Sequence, residues 1–460
     1  MNSTPEQLRF PSSPAHSVRA DFAGGGLSSD LGPVLLRGVD LQIGLTKRLA
    51  AALPDRRHQS YVDHSYHDIL TQRIYQIGCG YEDGNDSNSL RHDPMFKLGA
   101  ARLPFDDDAA LASGATISRF EHAASRQDIY RVSEALVEQF IAGFASPPKS
   151  LILDLDHSED ACYGQQPLAF YNHHYRSTCY LPLMIFDGVS GGLIAAVLRP
   201  GKRPFGDENA MIMRRVLKLI RLHFPDTHIL VRGDGHFSGP ELMGLIDSMP
   251  NIDFIFGFSC NIKLLAMAEP ARLRAIDQWV AAQTQEVVPN ALRLFDEFTY
   301  KARSWPRAWR VLMKAEVMAL GENTRFIVTS LPGLDAGMLS EEIYCARGQA
   351  ENSIKHLKDD LAADRTSCTS FLANCMRLLL HAAAYILHQQ LRTQALQHTA
   401  LSQAQPSTVI SKLFKIAVQV RQYKNKIVLH LPSACPVKHL LQTLTERLYL
   451  STPARSLNSS

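Results

Sequence analysis

The sequence predicts an α/β protein with a mixed five-stranded sheet, preceded and followed by helical regions. Five apolar runs of strand length lie between residues 150 and 260, and helical patterns separate the third, fourth and fifth runs. The regions on either side show the three- and four-residue apolar spacing of amphipathic helices. At 460 residues, with 45% hydrophobic and 20% charged residues, the chain is long enough for two to four domains with cores of their own.

The N-terminal part is predicted to be an arm followed by a helical domain. Residues 1–30, which include "FAGGGLSSD", have too little patterned apolar content to fold, so we expect a disordered arm. Residues 31–145 contain amphipathic segments at about 37–53 and 61–78. This helix pair could bind DNA, but two helices and a turn are also a common way to build any small α domain.

The order of elements in residues 146–260 predicts the sheet topology. Three strands are followed by a helix, a strand, a short helix and a fifth strand: "LILDLD" (151–156), "YLPLMIFD" (180–187), "GGLIAAVLR" (191–199), helix 208–224, "HILVRGD" (228–234), a helix from Pro240 and "IDFIFGF" (252–258). An order βββαβαβ, antiparallel at first and parallel at the end, is that of a ribonuclease-H-like fold. In this topology the first and fourth strands are neighbours.

Acidic residues mark those two neighbouring strands. Asp154 and Asp156 are two positions apart, so both would point to one face of the first strand. Asp234 ends the fourth strand, at the carboxyl edge where open sheets expose side chains to ligands. A strand-terminal aspartate can also simply cap a turn. Two such acids on adjacent strands favour a site.

An insertion domain is predicted at residues 261–333, because a compact core of this kind needs fewer residues before its last helices. Residues 262–286 look helical, and 310–320 and 325–331 look like a hairpin turning at "GENT". The preceding "YKARSWPRAWR" combines basic residues with Trp305 and Trp309. These indoles could stack on an unpaired base or could be core anchors.

The segment "IYCARGQAENSIKHLKDDL" (343–361) is predicted to be a helix with a polar stripe. At about 100° per residue, its polar members fall within an arc of roughly 60°: Tyr344, Arg347, Glu351 and Lys358. A second, apolar stripe should face the core: Ile343, Ala346, Ala350, Ile354, Leu357 and Leu361. The segment belongs to the C-terminal helices of the ribonuclease-H-like core, residues 334–400, which include a long helix at 370–398. Taken alone, such a stripe is most often a solvated face.

Three acids from separate regions would then meet at one edge of the sheet. Asp156, Asp234 and Glu351 form an oxygen-only set, with Asp154 as a second candidate for the first position. Mg²⁺ prefers such ligands, and two Mg²⁺ ions held this way can cleave a phosphodiester. Arg347 and Lys358 are suited to hold neighbouring phosphates.

Charge is unevenly distributed along the chain. The net charge is +3, yet the basic C-terminal segment, residues 401–460, carries eight Lys or Arg against the single acid Glu446. Such a segment fits contact with a polyanion such as DNA, although a solubilising tail would have the same composition.

The remaining composition indicates a cytoplasmic protein without a membrane segment. The eight cysteines form no C-x-x-C pair, which argues against a zinc ribbon or a disulfide framework. The longest apolar stretch, residues 376–388, is too short to span a bilayer. No secretory signal pattern is present at the N-terminus.

The pattern Y-x-x-R-x-x-x-E-x-x-x-x-x-x-K formed by Tyr344, Arg347, Glu351 and Lys358 resembles the signature of DDE transposases of the insertion sequence 4 superfamily. More narrowly, several segments resemble the bacterial insertion sequence 1380 family: "DLDHSEDACYGQQ", "LRPGK", "VRGDGHF", "GENTRFIVTSL" and "KLFKIAVQV". The similarity runs from about residue 35 to 450.

This resemblance implies a ribonuclease-H-like catalytic core interrupted by an insertion domain, with a helical domain that binds terminal inverted repeats. It implies cleavage and strand transfer of double-stranded DNA with Mg²⁺, for which Mn²⁺ could substitute, by a homodimer at the nucleoid of a bacterial cell. In relatives with this signature an aromatic residue of the insertion often takes up a flipped base, a role that Trp305 or Trp309 could fill. Two alternatives are a DNA-binding protein of transposase descent that has lost catalysis and a simple ribonuclease-H-like nuclease.

Overall fold

The computed structural model describes residues 7–450 except 14–15, 107–109, 203, 205 and 284–288. The strands are β1 (Leu8–Ser13), β2 (His16–Ala20), β3 (Leu27–Ser28), β4 (Ser150–His157), β5 (Asp160–Ala161), β6 (Phe170–Asn172), β7 (Ser177–Tyr180), β8 (Leu183–Asp187), β9 (Leu193–Val197), β10 (His228–Gly233), β11 (Ile252–Phe258), β12 (Ala291–Tyr300), β13 (Trp309–Met318), β14 (Gly321–Thr329), β15 (Val418–Gln422) and β16 (Ile427–His430).

The α-helices are α1 (Gly32–Ile43), α2 (Leu45–Ala51), α3 (Tyr66–Gly78), α4 (Asp86–Leu90), α5 (Pro94–Gly99), α6 (Gly114–Ala123), α7 (Arg126–Ile141), α8 (Gly206–His223), α9 (Pro240–Asp247), α10 (Ile262–Ala282), α11 (Ala336–Met338), α12 (Gly348–Lys355), α13 (Phe371–Gln390), α14 (Pro406–Val409) and α15 (Lys438–Thr445). The chain forms two compact units, Met1–Ala123 with Ala383–Ser460, and Ala124–Ala382.

The first unit combines α1–α6 with the end of the chain. The predicted helices at 37–53 and 61–78 correspond to α1, α2 and α3, and α3 starts at a capping box between Ser65 and Asp68. Strand β3 pairs with β15, which pairs with β16. The buried carboxylate of Asp30 accepts a hydrogen bond from the Lys415 ammonium at 2.7 Å. One cation of the basic segment is therefore part of the internal packing.

Within the predicted disordered arm, residues 1–30, the structure describes strands β1, β2 and β3, while residues 1–6 lie outside the described range. Strands β1 and β2 form an antiparallel hairpin, in which Phe10 lies opposite Val18. The two-residue alternation of a strand places Leu8 and Phe10 on one face. This alternation is hard to recognise in the sequence because it is short and lies among Ser and Pro residues. Every residue of β1 and β2 is exposed.

The predicted domain boundaries also differ from the two units. Helix α7 falls in the predicted N-terminal domain, 31–145, but lies in the second unit. The predicted C-terminal segment, 401–460, lies in the first unit, where its two strand-like runs form the β15–β16 hairpin. Residues 410–414 are helical, so the first run is a strand only from Val418.

The second unit is built on an eight-stranded mixed sheet with the order β12-β13-β14-β11-β10-β4-β8-β9. The predicted five strands are β4, β8, β9, β10 and β11, and β10 lies between β4 and β11, parallel to both. Strand β8 is antiparallel to β4 and to β9. The predicted neighbourhood of the first and fourth strands is therefore confirmed.

The predicted insertion, 261–333, extends this sheet instead of forming a separate one. Strand β14 pairs with β11, and β13 and β12 follow outward. The hairpin turns at residues 319–320, not at "GENT", because Gly321 already pairs with Met318. Strand β12 and the small sheet of β5, β6 and β7 were not predicted.

Apolar side chains cover both faces of the sheet. On one face, a large core includes Leu153 and Leu155 of β4 and residues of α7, α8, α9 and α10. On the other, Leu230, Ile255 and Leu339 belong to a smaller cluster. This second cluster holds the segment after β14 against the sheet, and Ile343 and Tyr344 at the start of the predicted signature helix pack on it. Helix α12, farther along that segment, lies over β4 and β8.

Helix α13 and its continuation, Phe371–Ala395, form one helix among the described residues with the length and composition to cross a membrane. This helix, with 25 residues, is longer than the apolar stretch at 376–388 from which the sequence predicted that no segment could span a bilayer. However, 83% of its apolar window is buried inside the protein, as in a core helix.

Candidate active site

The register of β4 and β10 brings two predicted carboxylates together. Leu155 pairs with Gly233 in this parallel ladder, and the next residues are Asp156 and Asp234. Asp156 lies near the end of β4, and Asp234 caps the short 3-10 turn after β10. The two acids therefore lie side by side at the carboxyl edge of the sheet.

The Asp156 carboxyl group is in an environment that opposes its ionisation. Its pKa is raised to about 6, chiefly by burial and also by the charges of Asp234 and Glu351, while Arg347 opposes the rise. All three predicted acids are thus close enough to interact electrostatically. The Asp156 Oδ1 also accepts a hydrogen bond from its neighbour, the His157 backbone, at 2.9 Å.

Asp234 is held differently, by the histidine that follows it. Its Oδ1 accepts from the His236 backbone N–H at 2.9 Å, and its Oδ2 lies 2.8 Å from His236 Nδ1. Burial would raise the pKa of Asp234, but the hydrogen bonds and charge of His236 outweigh it and lower the pKa overall. The pKa of Asp156 is therefore raised and that of Asp234 is lowered, although the two carboxyl groups are neighbours.

The predicted signature helix is continuous but not regular. A π-helical stretch (Leu339–Tyr344), a 3-10 turn (Cys345–Arg347), α12 and a second π-helical stretch (His356–Asp360) follow one another. Irregular turns change the angular spacing of side chains, so four residues in register do not stay on one stripe. Of the predicted apolar stripe, Ala350, Ile354, Leu357 and Leu361 are buried, Ile343 is half-buried, and Ala346 is exposed.

Arg347 lies between two of the acids. Its Nη1 is 3.5 Å from Asp156 Oδ2, and its Nη2 is 3.7 Å from Glu351 Oε1. These are ion pairs longer than hydrogen bonds, and Nη1 has no hydrogen-bond partner in the described chain. The Glu351 side chain is 66% exposed, so it reaches outward from α12. The guanidinium is therefore held to the two acids by charge, and a hydrogen bond with Tyr344 also acts on it.

Tyr344 packs at the same edge. Burial raises the pKa of its phenol, and its ring lies with its centroid 5.8 Å from the Arg347 guanidinium carbon. A Cβ at Gly257 of β11 would lie only 2.6 Å from the Tyr344 hydroxyl. A glycine at this position of β11 lets the phenol approach the sheet closely.

Lys358 makes its observed contact away from the three acids. Its ammonium donates to the backbone carbonyl of Glu159, and its charge acts on the buried Asp160. Burial raises the pKa of Asp160 to about 8, and Lys358 opposes this rise. The structure therefore joins Lys358 to the chain just after β4, and its role as a phosphate contact stays a prediction.

Asp154 has a partner of its own. Its carboxylate forms a two-pronged pair with the Arg232 guanidinium, Nε to Oδ1 at 2.6 Å and Nη2 to Oδ2 at 2.7 Å. Arg232 Nη1 also donates to the Ile343 carbonyl at 2.7 Å, at the start of the signature segment. Both Asp154 oxygens are thus engaged internally, which favours Asp156 as the metal-ligand candidate.

The interpretation of the two tryptophans as base-stacking residues disagrees with the structure. Trp305 and Trp309 are only 4% and 3% exposed and pack on each other, with ring centroids 5.0 Å apart. Phe254 and Phe258 of β11 complete this aromatic cluster. Neither indole can contact a base without leaving the core. The structure therefore agrees with the alternative interpretation, in which both tryptophans are core residues.

Sequence reasoning missed a group of side chains next to the acids. His157 stacks on Phe237, with ring centroids 4.4 Å apart, and its Nδ1 accepts from the buried Arg199 guanidinium. Burial, together with the charge of Arg199, lowers the pKa of His157 to about 3. The sequence did contain a sign of this group, because a histidine follows each aspartate closely: His157 comes one position after Asp156, and His236 comes two positions after Asp234. Arg199 lies in the segment "LRPGK", 42 residues from His157, and its contact with this histidine was not predicted.

A cavity of about 420 Å³ opens beside Asp234. Its wall combines hydrogen-bonding and aromatic side chains, among them His157, Asn172, His174, Tyr175, His236 and Ser259. The cavity gives a ligand direct access to the acid at the end of β10.

Within the part of the chain that the structure describes, no three or more His, Cys, Asp or Glu side chains are arranged to hold a metal ion. Arg347 lies close to Asp156 and Glu351 instead. The metal therefore stays a prediction from the chemistry of the acids.

Comparison with known proteins gives one strong result. A family model described as "Transposase DDE domain group 1" matches residues 10–453. No curated protein matches the chain. A cryo-EM structure of a piggyBac transposase synaptic complex with hairpin DNA matches over 93% of this chain and 87% of that one, at 11% identity and a TM-score of 0.42. A similarity this low carries no argument about function.

Proposed function

The chain belongs to the transposase DDE domain group 1 family, and on that premise we propose that it is a transposase that cuts DNA at the terminal inverted repeats of its own element. In our proposal it then joins the freed ends to target DNA, in a cut-and-paste reaction. The observation that carries this proposal is the meeting of Asp156 and Asp234 at one sheet edge, with Glu351 within electrostatic range.

We further propose a ribonuclease-H-like core and a bacterial origin in the insertion sequence 1380 family. The strand order β9-β8-β4-β10-β11, with only the last three strands parallel, supports the first. The segments "DLDHSEDACYGQQ" and "VRGDGHF" support the second, since they contain both aspartates.

The acids suit Mg²⁺ chemically. Asp156, Asp234 and Glu351 would hold two Mg²⁺ ions, or Mn²⁺ in their place, through carboxylate oxygens. The raised pKa of Asp156 comes from burial and from the two neighbouring acids, and a divalent cation would relieve both. Glu351 is exposed enough to turn toward the sheet edge. When bound, the ions would activate the attacking hydroxyl and stabilise the leaving oxygen.

The residues around the acids would position the DNA strand. Arg347 is held by ion pairs of 3.5 and 3.7 Å, so its guanidinium can exchange these for a forked contact to a phosphate. Tyr344, packed beside Arg347, would orient the strand end. A phosphate contact by Lys358 would require its ammonium to leave the Glu159 carbonyl.

Basic residues of the first unit would bind the flanking duplex. Arg421, Lys424 and Lys426 are exposed on the β15–β16 hairpin, beside the exposed ring of Tyr423. Exposed cations next to an aromatic side chain suit a phosphate backbone. We propose that this hairpin and the helices α1–α3 contact the terminal repeats, and that two copies of the chain hold the two ends at the nucleoid.

The test is cleavage of a plasmid that carries the element's flanking inverted repeats, with Mg²⁺. Wild-type protein should cut at the repeat ends, whereas Asp156→Asn, Asp234→Asn and Glu351→Gln should each lose at least about 100-fold in rate, because each removes a charged metal ligand. Glu342→Gln, an exposed acid on the same helical segment, is the matched control. Wild-type rates in the three variants would rule out this chemistry.

A further inference from the structure

A buried cation lies behind the candidate active site. Arg199 follows β9 and is 2% exposed. It donates to the Leu181 carbonyl at 3.0 Å, to Asn209 Oδ1 at 2.8 Å and to His157 Nδ1. All three acceptors are neutral. Within the described residues no carboxylate forms an ion pair with Arg199, although the charge of Glu208 acts on it from beyond ion-pair distance. A buried guanidinium without a hydrogen-bonded carboxylate is costly, which suggests a use for it.

The contact with Arg199 fixes the proton of the histidine. A guanidinium N–H can donate but cannot accept, so His157 Nδ1 must be the acceptor. The neutral imidazole therefore carries its proton on Nε2. That Nε2–H is buried and has no hydrogen-bond partner among the described residues. A buried donor without an acceptor is unfavourable and is seldom left so.

This donor lies next to the acids. His157 follows Asp156 in β4, and its imidazole lines the 420 Å³ cavity together with Asp234. Phe237 stacks on one side of the ring, and the half-exposed ring of His236 stands edge-on to it with centroids 5.6 Å apart. For a ligand in the cavity to reach the Nε2–H, the His236 ring would have to turn away from Asp234 Oδ2, which lies 2.8 Å from its Nδ1.

We propose that His157, held in its Nε2-protonated form by Arg199, donates a hydrogen bond to a non-bridging phosphate oxygen of the DNA strand bound at Asp156 and Asp234. This rests on the proposed function and adds a substrate contact to it. A phosphate oxygen is a strong acceptor, and the buried positive charge of Arg199, which is hydrogen-bonded to Nδ1, strengthens the N–H donor on the other side of the ring. Arg199 is then a positioning residue that acts through His157.

Two substitutions of His157 separate a contact with DNA from a structural role. In His157→Asn, the amide can take the place of Nδ1 and keep an acceptor for Arg199, but the distal donor is lost. In His157→Gln, the longer side chain can place an N–H near the position of Nε2. We expect single-turnover cleavage of an end fragment with Mg²⁺ to fall about 10- to 100-fold in His157→Asn and less than about tenfold in His157→Gln. Thermal unfolding checks that both variants fold.

The opposite order of rates would overturn the inference. If His157→Asn cleaved as fast as His157→Gln or faster, the only role of the imidazole ring would be to accept the hydrogen bond from Arg199. If wild-type protein left the ends intact, the proposed function would fail, and this inference with it. The two failures are distinguishable because the first concerns only the variants.

A structure of the wild-type chain with an end fragment, in Ca²⁺ to prevent cleavage, tests the contact even if both variants misfold. We expect His157 Nε2 within about 3.2 Å of a phosphate oxygen. A contact to a base edge, or an Nε2 that stays buried without a DNA partner, would overturn the proposal.

Discussion

Two aspartates two positions apart on β4 have different surroundings, although their places in the strand pattern are alike. Asp154 forms a buried two-pronged pair with Arg232. Asp156 accepts one hydrogen bond from the His157 backbone, and its nearest cation, Arg347, is 3.5 Å away. The difference comes from Arg232 on β10, which lies opposite Asp154 in the ladder. The residues next to Asp154 in the sequence do not indicate that Arg232, 78 positions away, is its partner.

This difference predicts opposite effects on stability. Asp154→Asn should lower the free energy of unfolding by about 3–5 kcal/mol, because it leaves the Arg232 guanidinium buried without its charge partner. Asp156→Asn should stay within about 1 kcal/mol of wild type or exceed it, because a poorly solvated carboxylate is removed. Urea unfolding of metal-free protein measures both. Equal losses in the two variants would refute this assignment.

At the scale of single residues, the acids were predictable and their surroundings were not. Strand order and the alternation of β4 were enough to place Asp156 next to Asp234. The partners that tune them come from distant positions, as Arg199 does for His157. Aromatic residues were misleading for the same reason, since exposure depends on packing that Trp305 and Trp309 do not reveal in sequence.

At the scale of elements, β12, β13 and β14 turn a five-stranded sheet into an eight-stranded one. The β13–β14 hairpin was predictable from its alternation, but its docking on β11 was not. That docking depends on Phe254 and Phe256 of β11 sharing one core with Val311 and Val328 of the hairpin. The irregular turns of the segment 339–360 were equally hidden, because its apolar spacing fits a regular helix.

The tryptophan cluster of the hairpin gives a prediction at this scale. Trp309→Ala should destabilise the second unit by about 3–5 kcal/mol, since it empties a packed core position. Trp309→Phe should cost only about 1–2 kcal/mol, because the indole Nε1–H has no hydrogen-bond partner in the described chain. Thermal unfolding compares the two. If Trp309→Ala kept its stability but lost affinity for DNA, the base-stacking interpretation would be right after all.

At the scale of the whole molecule, the first unit is assembled from both ends of the sequence. Strand β3 pairs with β15, Val420 donates to the Gly26 carbonyl at 2.7 Å, and Leu31 donates to the Phe414 carbonyl at 2.8 Å. The sequence around each of these strands does not indicate a partner nearly 400 residues away, because both strands are short. The predicted domains were therefore consecutive, whereas this unit is not.

Truncation tests this organisation. Removal of residues 1–20 should leave the melting temperature nearly unchanged, since every residue of β1 and β2 is exposed. Removal of residues 1–30 should lower it by several degrees, because β15 loses its partner strand and Lys415 loses Asp30. Calorimetry of both truncated chains checks this. A disordered arm up to residue 30 would leave both melting temperatures unchanged.

The most direct test of a metal-dependent site at this sheet edge is anomalous diffraction from crystals of the protein soaked in Mn²⁺ with an end fragment of DNA. We expect a peak bounded by the carboxylates of Asp156 and Asp234, with Glu351 turned toward it and Arg347 withdrawn to a phosphate. A crystal of Asp234→Asn should lose the peak. Mn²⁺ bound elsewhere, with Arg347 still between Asp156 and Glu351 while the DNA is cut, would contradict the proposed active site.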